Sequence, residues 1–223
     1  MTTKIYLIRH CEALGNVRRI FQGTTDLDIS ELGAKQLQYL SERFKNIEVD
    51  KVYSSPLIRA MKTAHAVADE KGLPVTSHSG LAELDGGIVE GKPFVESFNS
   101  IPGLADAWDN RPQDFHPSGG ESMRHAYERI WETVLEIVGT GKGKSIAAAT
   151  HGGVSRCLFC RLLYNDINRL KDVPWCENTA VSLIEFDENL TPKLIYMNDH
   201  SHVPDELMPK RNRLSSFAAG KKQ

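Results

Sequence analysis

The spacing of hydrophobic positions changes several times along the chain, and each change marks an element. Ile5-Tyr6-Leu7-Ile8 is a compact β-rich run ending in polar residues, the pattern of a buried strand that delivers Arg9 and His10 at its carboxyl end. Ser30 then stands as an N-cap before Leu32, Leu37, Leu40 and Phe44, whose spacing predicts a helix over roughly 31–45. Residues 51–54 read as a second short strand. Pro56 fits the first turn of a helix carrying Ile58, Met61, Ala64 and Val67, which places Arg59 near that helix's N-terminus. Another short strand falls at 74–77.

Between 80 and 120 the periodicity breaks down. Gly and Pro are frequent there, and Phe94, Phe98, Trp108 and Phe115 are spread among charges, so a helical cap or lid is expected rather than a separate domain. Helical spacing returns over 121–138 with Ala126, Ile130 and Val134. Residues 145–149 form a strand that delivers Thr150-His151-Gly152-Gly153 to a helix holding Cys157 and Leu162. Two more strands, 180–186 and 193–197, finish the sheet, one of them antiparallel. This alternation predicts an α/β fold, a three-layer α/β/α sandwich with a mostly parallel central sheet and a small helical cap region.

At 223 residues the chain can bury a sizeable core, and a single catalytic domain over 1–205 is expected, with the cap at about 80–120. After it, 206–223 carry Lys210, Arg211, Arg213, Lys221 and Lys222 with few apolar residues, a flexible basic tail by composition. The formal charge of −2 gives no broad basic field, so neither nucleic acid nor a membrane is an expected partner, and an anionic ligand must be held by local cations. The first apolar run is too short for a signal peptide or a span, and a cytoplasmic location is the expectation. Cys11, Cys157, Cys160 and Cys176 are too few and scattered for a disulfide framework. Cys157 and Cys160 share one face of an apolar helix, which favours buried structural thiols over a redox pair.

Three polar clusters follow strands or open helices: Arg9-His10, Ser54-Ser55-Pro56 with Arg59, and Thr150-His151-Gly152-Gly153. In an open α/β sheet, ligands sit beyond the carboxyl ends of the strands, so two arginines and two histidines can meet in one pocket. Forked guanidinium donors and the N–H groups of a helix start suit a phosphoryl group. A lone His after a strand, or a lone Arg on a first turn, would be an ordinary packing or surface residue. Their recurrence at equivalent topological positions is what points to a phosphate site.

The ordered set of motifs resembles the histidine phosphatase superfamily, in the branch that includes cofactor-dependent phosphoglycerate mutases. Arg9-His10-Cys11-Glu12 with Asn16 is similar to the family's opening Arg-His-Gly-Glu-Thr and Asn. Phe21-Gln22-Gly23, Ser54-Ser55-Pro56, Arg59-Ala60, Thr63-Ala64, Gly120-Glu121-Ser122, Thr150-His151-Gly152-Gly153 and Asn198-Asp199 also resemble it. The resemblance implies His10 as a nucleophile that becomes phosphorylated, Arg9, Arg59 and a cationic His151 around the phosphate, and Asn16, Gln22, Gly23 and Gly152 as substrate contacts. Leu81-Ala82-Glu83 through Gly87 matches the pattern that carries the family's acid, which makes Glu83 the implied proton donor, with Asp85 and Glu90 as local competitors. Neither a metal nor another cofactor is implied, because side-chain cations counter the phosphate charge.

The sequence departs from the family pattern at Cys11, Ala13 and Gly15, where the family has Gly, Thr and Trp. Cys11 reads as a small neutral filler, with an oxidisable thiol as the alternative. Gly87-Ile88-Val89-Glu90-Gly91 is similar to the Gly-x-x-Glu-Gly of the phosphatases, so the implied activity is hydrolysis of a small-molecule phosphate ester. Mutase-type phosphoryl transfer and a non-catalytic relative that binds a phospho-ligand or partner are the alternatives. Arg111, Lys92 and Arg124 are candidates for a second anion contact. Nothing in the sequence sets an oligomeric state.

Overall fold

The computed structural model describes residues 1–208; the part of the predicted basic tail from 209 onward lies outside the described residues. In chain order, strand β1 (Thr3–Arg9) is followed by helices α1 (Leu14–Arg18) and α2 (Glu31–Phe44), strand β2 (Lys51–Ser54), helix α3 (Ile58–Ala68) and strand β3 (Val75–Ser77). Helices α4 (Phe94–Ser100), α5 (Leu104–Asn110) and α6 (Met123–Thr140) come next. Strand β4 (Ser145–Thr150), helix α7 (Gly152–Tyr164) and strands β5 (Val181–Phe186) and β6 (Pro192–Asp199) complete the fold.

The six strands form one sheet in the order β3-β2-β4-β1-β5-β6. β1, β2, β3 and β4 pair in parallel, whereas β5 is antiparallel to both β1 and β6 and so is the one strand that runs against the rest. Successive strand residues point to opposite faces. Accordingly Ile146 and Ala148 join one core with α6 and α7, while Ala147 and Ala149 join a second core with Leu40, Phe44, Ala60, Ala64 and Val67 of α2 and α3. The predicted α/β/α sandwich with a mostly parallel sheet is the fold observed.

Ser30 caps α2 as its sequence predicts, accepting the Gly33 N–H at 2.9 Å. The short helix α1 has no counterpart in the periodicity; at 5 residues it is under two turns, too short to develop an apolar face. The region of broken periodicity holds α4 and α5, and its Phe94, Phe98, Leu104 and Phe115 belong to the same buried cluster as the sheet-facing residues of α6 and α7. The C-terminal described segment, a 3-10 turn at Asp205–Leu207, is tied back to α2 by Gln36 Nε2 donating to Leu207 O at 3.1 Å.

Candidate active site

Register brings the three polar clusters to one sheet edge. Arg9 pairs with Thr150 and Ser54 with Ala149, and the ladder continues one step further through His10 N to Thr150 O at 2.9 Å and Ser55 N to Ala149 O at 3.0 Å. Arg9, His10, Ser55 and His151 therefore leave three adjacent strands side by side. The loop before β5 grips this edge, with Asn178 Nδ2 donating to His10 O at 2.9 Å and Thr179 N to Arg9 O at 3.0 Å.

His10 and His151 are buried with ring centroids 5.1 Å apart and planes tilted by 55°. His10 Nδ1 lies 2.6 Å from Cys11 O, so Nδ1–H donates there and the lone pair of the neutral ring resides on Nε2. Burial, followed by the charges of Arg59 and Arg9, holds His10 well below its ordinary value, so it is neutral at physiological pH. His151 is depressed for the same reasons, burial first and then Arg59, His10 and Arg9. The cationic His151 expected from the sequence is thus disfavoured in the free protein, because burial and the two arginines both oppose a charged ring.

Arg9 Nη1 donates to Cys176 O, and its Nε sits 3.3 Å from where a side chain on Gly152 would begin. Arg59 is fully buried near the start of α3. It donates from Nη1 to Thr25 O at 3.0 Å and from Nη2 to Gln22 O and Gly23 O at 2.9 and 2.8 Å, so much of its fork fastens the 22–25 loop to the site. Its Nε has no hydrogen-bond partner among the described residues, and the same holds for both amide atoms of Gln22 and for His151 Nδ1. Buried donors and acceptors normally find partners, so these groups are candidates for contact with a ligand. Asn16 Oδ1 accepts the Ala13 N–H at 2.9 Å, which orients its amide on α1. The Gln22 amide folds over Gly15, within 2.1 Å of where a Cβ at that position would lie. The space that this departure from the family pattern opens is therefore occupied by Gln22.

Glu83 reaches the same place from the other side. Its Oε2 accepts the Gly153 N–H at 2.9 Å and Oε1 accepts those of Val154 and Leu84 at 3.1 and 2.9 Å, which seats the carboxylate on the N-terminus of α7 beside His151. Arg129 holds the supporting backbone, donating to Gly80 O at 2.7 Å and Ala82 O at 3.0 Å, while both oxygens of Glu121 receive its other donors. The competitors serve elsewhere. Glu90 accepts from the backbone of Thr24, Thr25 and Gly86, and Asp85 from Gly87 N. Arg111 is paired with Asp106 and Asp114, and Arg124 with Asp114, all on the exposed surface.

Cys11 is buried, and burial pushes its thiol up to about 12, so no thiolate is present for oxidation and the residue fills space beside Gly33. Cys157 and Cys160 are free and buried on α7, near Met123 Sδ and Asp166 O respectively. Ser55, Thr63, Arg129, Trp175 and Asn178 support the site without having been singled out individually from the sequence. Asn178-Thr179 did carry a signal, a polar pair set immediately before a buried strand.

This arrangement defines a class. The chain belongs to the histidine phosphatase superfamily (branch 1), whose family model matches residues 5–200. Phosphoserine phosphatase 1 of Hydrogenobacter thermophilus is 30% identical over 185 residues, covering 83% of this chain and 87% of that protein. Phosphoglycerate mutase-like protein 4 of Arabidopsis thaliana is 34% identical over 161 residues, with 71% and 70% covered. Among solved structures, Bacillus stearothermophilus YhfR superposes with a TM-score of 0.86 at 30% identity, covering 91% of this chain and all of its own.

Proposed function

We propose that the protein is a phosphatase that hydrolyses small-molecule phosphate monoesters through a phosphohistidine formed on His10, with residues 1–205 as its catalytic domain. The observation that carries this reading is the His10 Nδ1–H bond to Cys11 O, which directs a neutral Nε2 lone pair into a site walled by Arg9, Arg59 and His151. Nε2 attacks phosphorus in line with the ester oxygen; the P–O bond to the leaving group breaks as the N–P bond forms. Arg9 and His151, with the Nε–H and charge of Arg59, oppose the charge on the equatorial oxygens, and Asn16, Gln22, Gly23 and the N–H of Gly152 complete the cradle. Glu83 gives a proton to the departing alkoxide and, as the carboxylate, takes one from the water that then cleaves the N–P bond. The positive groups come from side chains, so no metal or cofactor is needed.

The four free, buried cysteines favour a reducing compartment, and we place the protein in the cytoplasm. Among the described residues no helix is long and apolar enough to cross a membrane. A small phosphate ester is the partner, without nucleic acid or lipid. The test is hydrolysis of p-nitrophenyl phosphate and a panel of metabolite esters headed by phosphoserine, the substrate in one relative's name, with EDTA present. Turnover that persists in EDTA and vanishes in His10→Ala protein supports the reading; no turnover on the whole panel refutes it.

A further inference from the structure

Ser55 is fully buried, directly follows β2 and has no role in the steps above. Its Oγ lies 2.7 Å from His151 Nε2 and accepts the N–H of Leu57 at 3.3 Å. A serine hydroxyl has a single proton to donate. Leu57 supplies a donor, so of the two polar neighbours only His151 Nε2 can take that proton. Nε2 is then the acceptor nitrogen of the neutral ring, and the ring proton belongs on Nδ1. That atom is the one buried without a hydrogen-bond partner among the described residues, in a ring that faces His10 at 5.1 Å between centroids.

We infer that Ser55 is a positioning residue: its hydroxyl holds His151 as the Nδ1–H tautomer and thereby makes that N–H the donor for a phosphoryl oxygen on or approaching His10. The inference deepens the proposed function and rests on it for the identity of the ligand. The opposite tautomer would turn an Nδ1 lone pair toward the anion, replacing attraction with repulsion. The lock is built on the sheet itself, because Ser55 N donates to Ala149 O at 3.0 Å and His151 lies two residues beyond Ala149. When phosphate arrives and the ring takes a second proton, Nε2–H donates and the Ser55 hydroxyl turns to accept. One side chain therefore serves both protonation states.

The experiment is a long-range proton–nitrogen correlation spectrum of 15N-histidine-labelled protein at neutral pH, with His151 assigned by the loss of its signals in His151→Gln. Wild type should show the Nδ1–H tautomer. Ser55→Thr, which keeps the hydroxyl, should preserve it. Ser55→Ala should shift population toward Nε2–H and weaken inorganic phosphate binding, measured by calorimetry, by roughly tenfold, the worth of one hydrogen bond. An Nε2–H tautomer in wild type overturns the inference even if Ser55→Ala fails to fold. So does Ser55→Ala protein that keeps both the tautomer and the phosphate affinity. The spectra read the ring directly, so a protein without turnover would refute the proposed activity while the role of Ser55 is still decided by the tautomer.

Discussion

At the residue scale, the site is defined by charge held out of water. His10 and His151 are both buried and neutral, and each protonates more readily in the unfolded chain near the ordinary 6.5 than in the folded one. The unfolded state therefore binds more protons below that value, and stability rises with pH. Their contribution is complete above about 6.5 and is lost as pH falls toward the depressed folded values, at up to about 1.4 kcal/mol per pH unit for each histidine. Thermal melts between pH 7 and 5 should show the midpoint dropping, and His151→Gln should flatten the drop. An unchanged slope in that variant would mean that His151 is not held neutral. The same depression keeps the His10 ring neutral in mild acid. His10, Arg9 and Arg59 were legible in the sequence because each stands at a strand end or helix start. Ser55 and Asn178 were not legible as partners, because hydrogen bonds to His151 and His10 span 96 and 168 positions that only strand register brings together.

At the element scale, the start of α7 is the shared platform. Its first N–H groups receive Glu83, and Gly153 allows the close approach: a Cβ there would lie 2.7 Å from Glu83 Oε1. Gly153→Ala is expected to displace the carboxylate while slightly favouring the helix. A steady-state assay should find kcat reduced by tenfold or more, the order of a misplaced general acid, with the melting midpoint close to wild type. If kcat were unchanged, Glu83 would not be the proton donor. The strands and the long helices were readable from periodicity because they are buried on defined faces. α1 has 5 residues and α4 and α5 have 7 each, too few turns for a periodic signal, and it is tertiary packing that forms them.

At the scale of the whole molecule, the 94–115 segment and the sheet share one core. Phe94 and Phe98 stack at 4.2 Å, Phe98 and Phe115 at 5.6 Å, and Trp108 meets Phe115 at 4.8 Å and Trp175 at 5.6 Å. Trp175 in turn lies against Gly152, so this aromatic cluster links the 94–115 segment to the start of α7. Phe98→Ala should cost about 3–5 kcal/mol and lower a single melting transition. A midpoint unchanged from wild type, with rapid proteolysis confined to 94–115, would contradict a shared core. The sequence placed Phe94, Phe98, Trp108 and Phe115 in one region of broken periodicity but could not show that they face one another or Trp175, since their contacts join segments with no common period.

The central claim is that phosphate passes through His10. Rapid quenching during turnover of a 32P-labelled phosphate ester, followed by peptide mapping under alkaline conditions where phosphohistidine survives, measures this most directly. The label should appear on the peptide containing His10, build up before steady state and be absent from His10→Ala protein. Turnover without protein-bound label at saturating substrate, or label on a peptide lacking His10, would contradict the account.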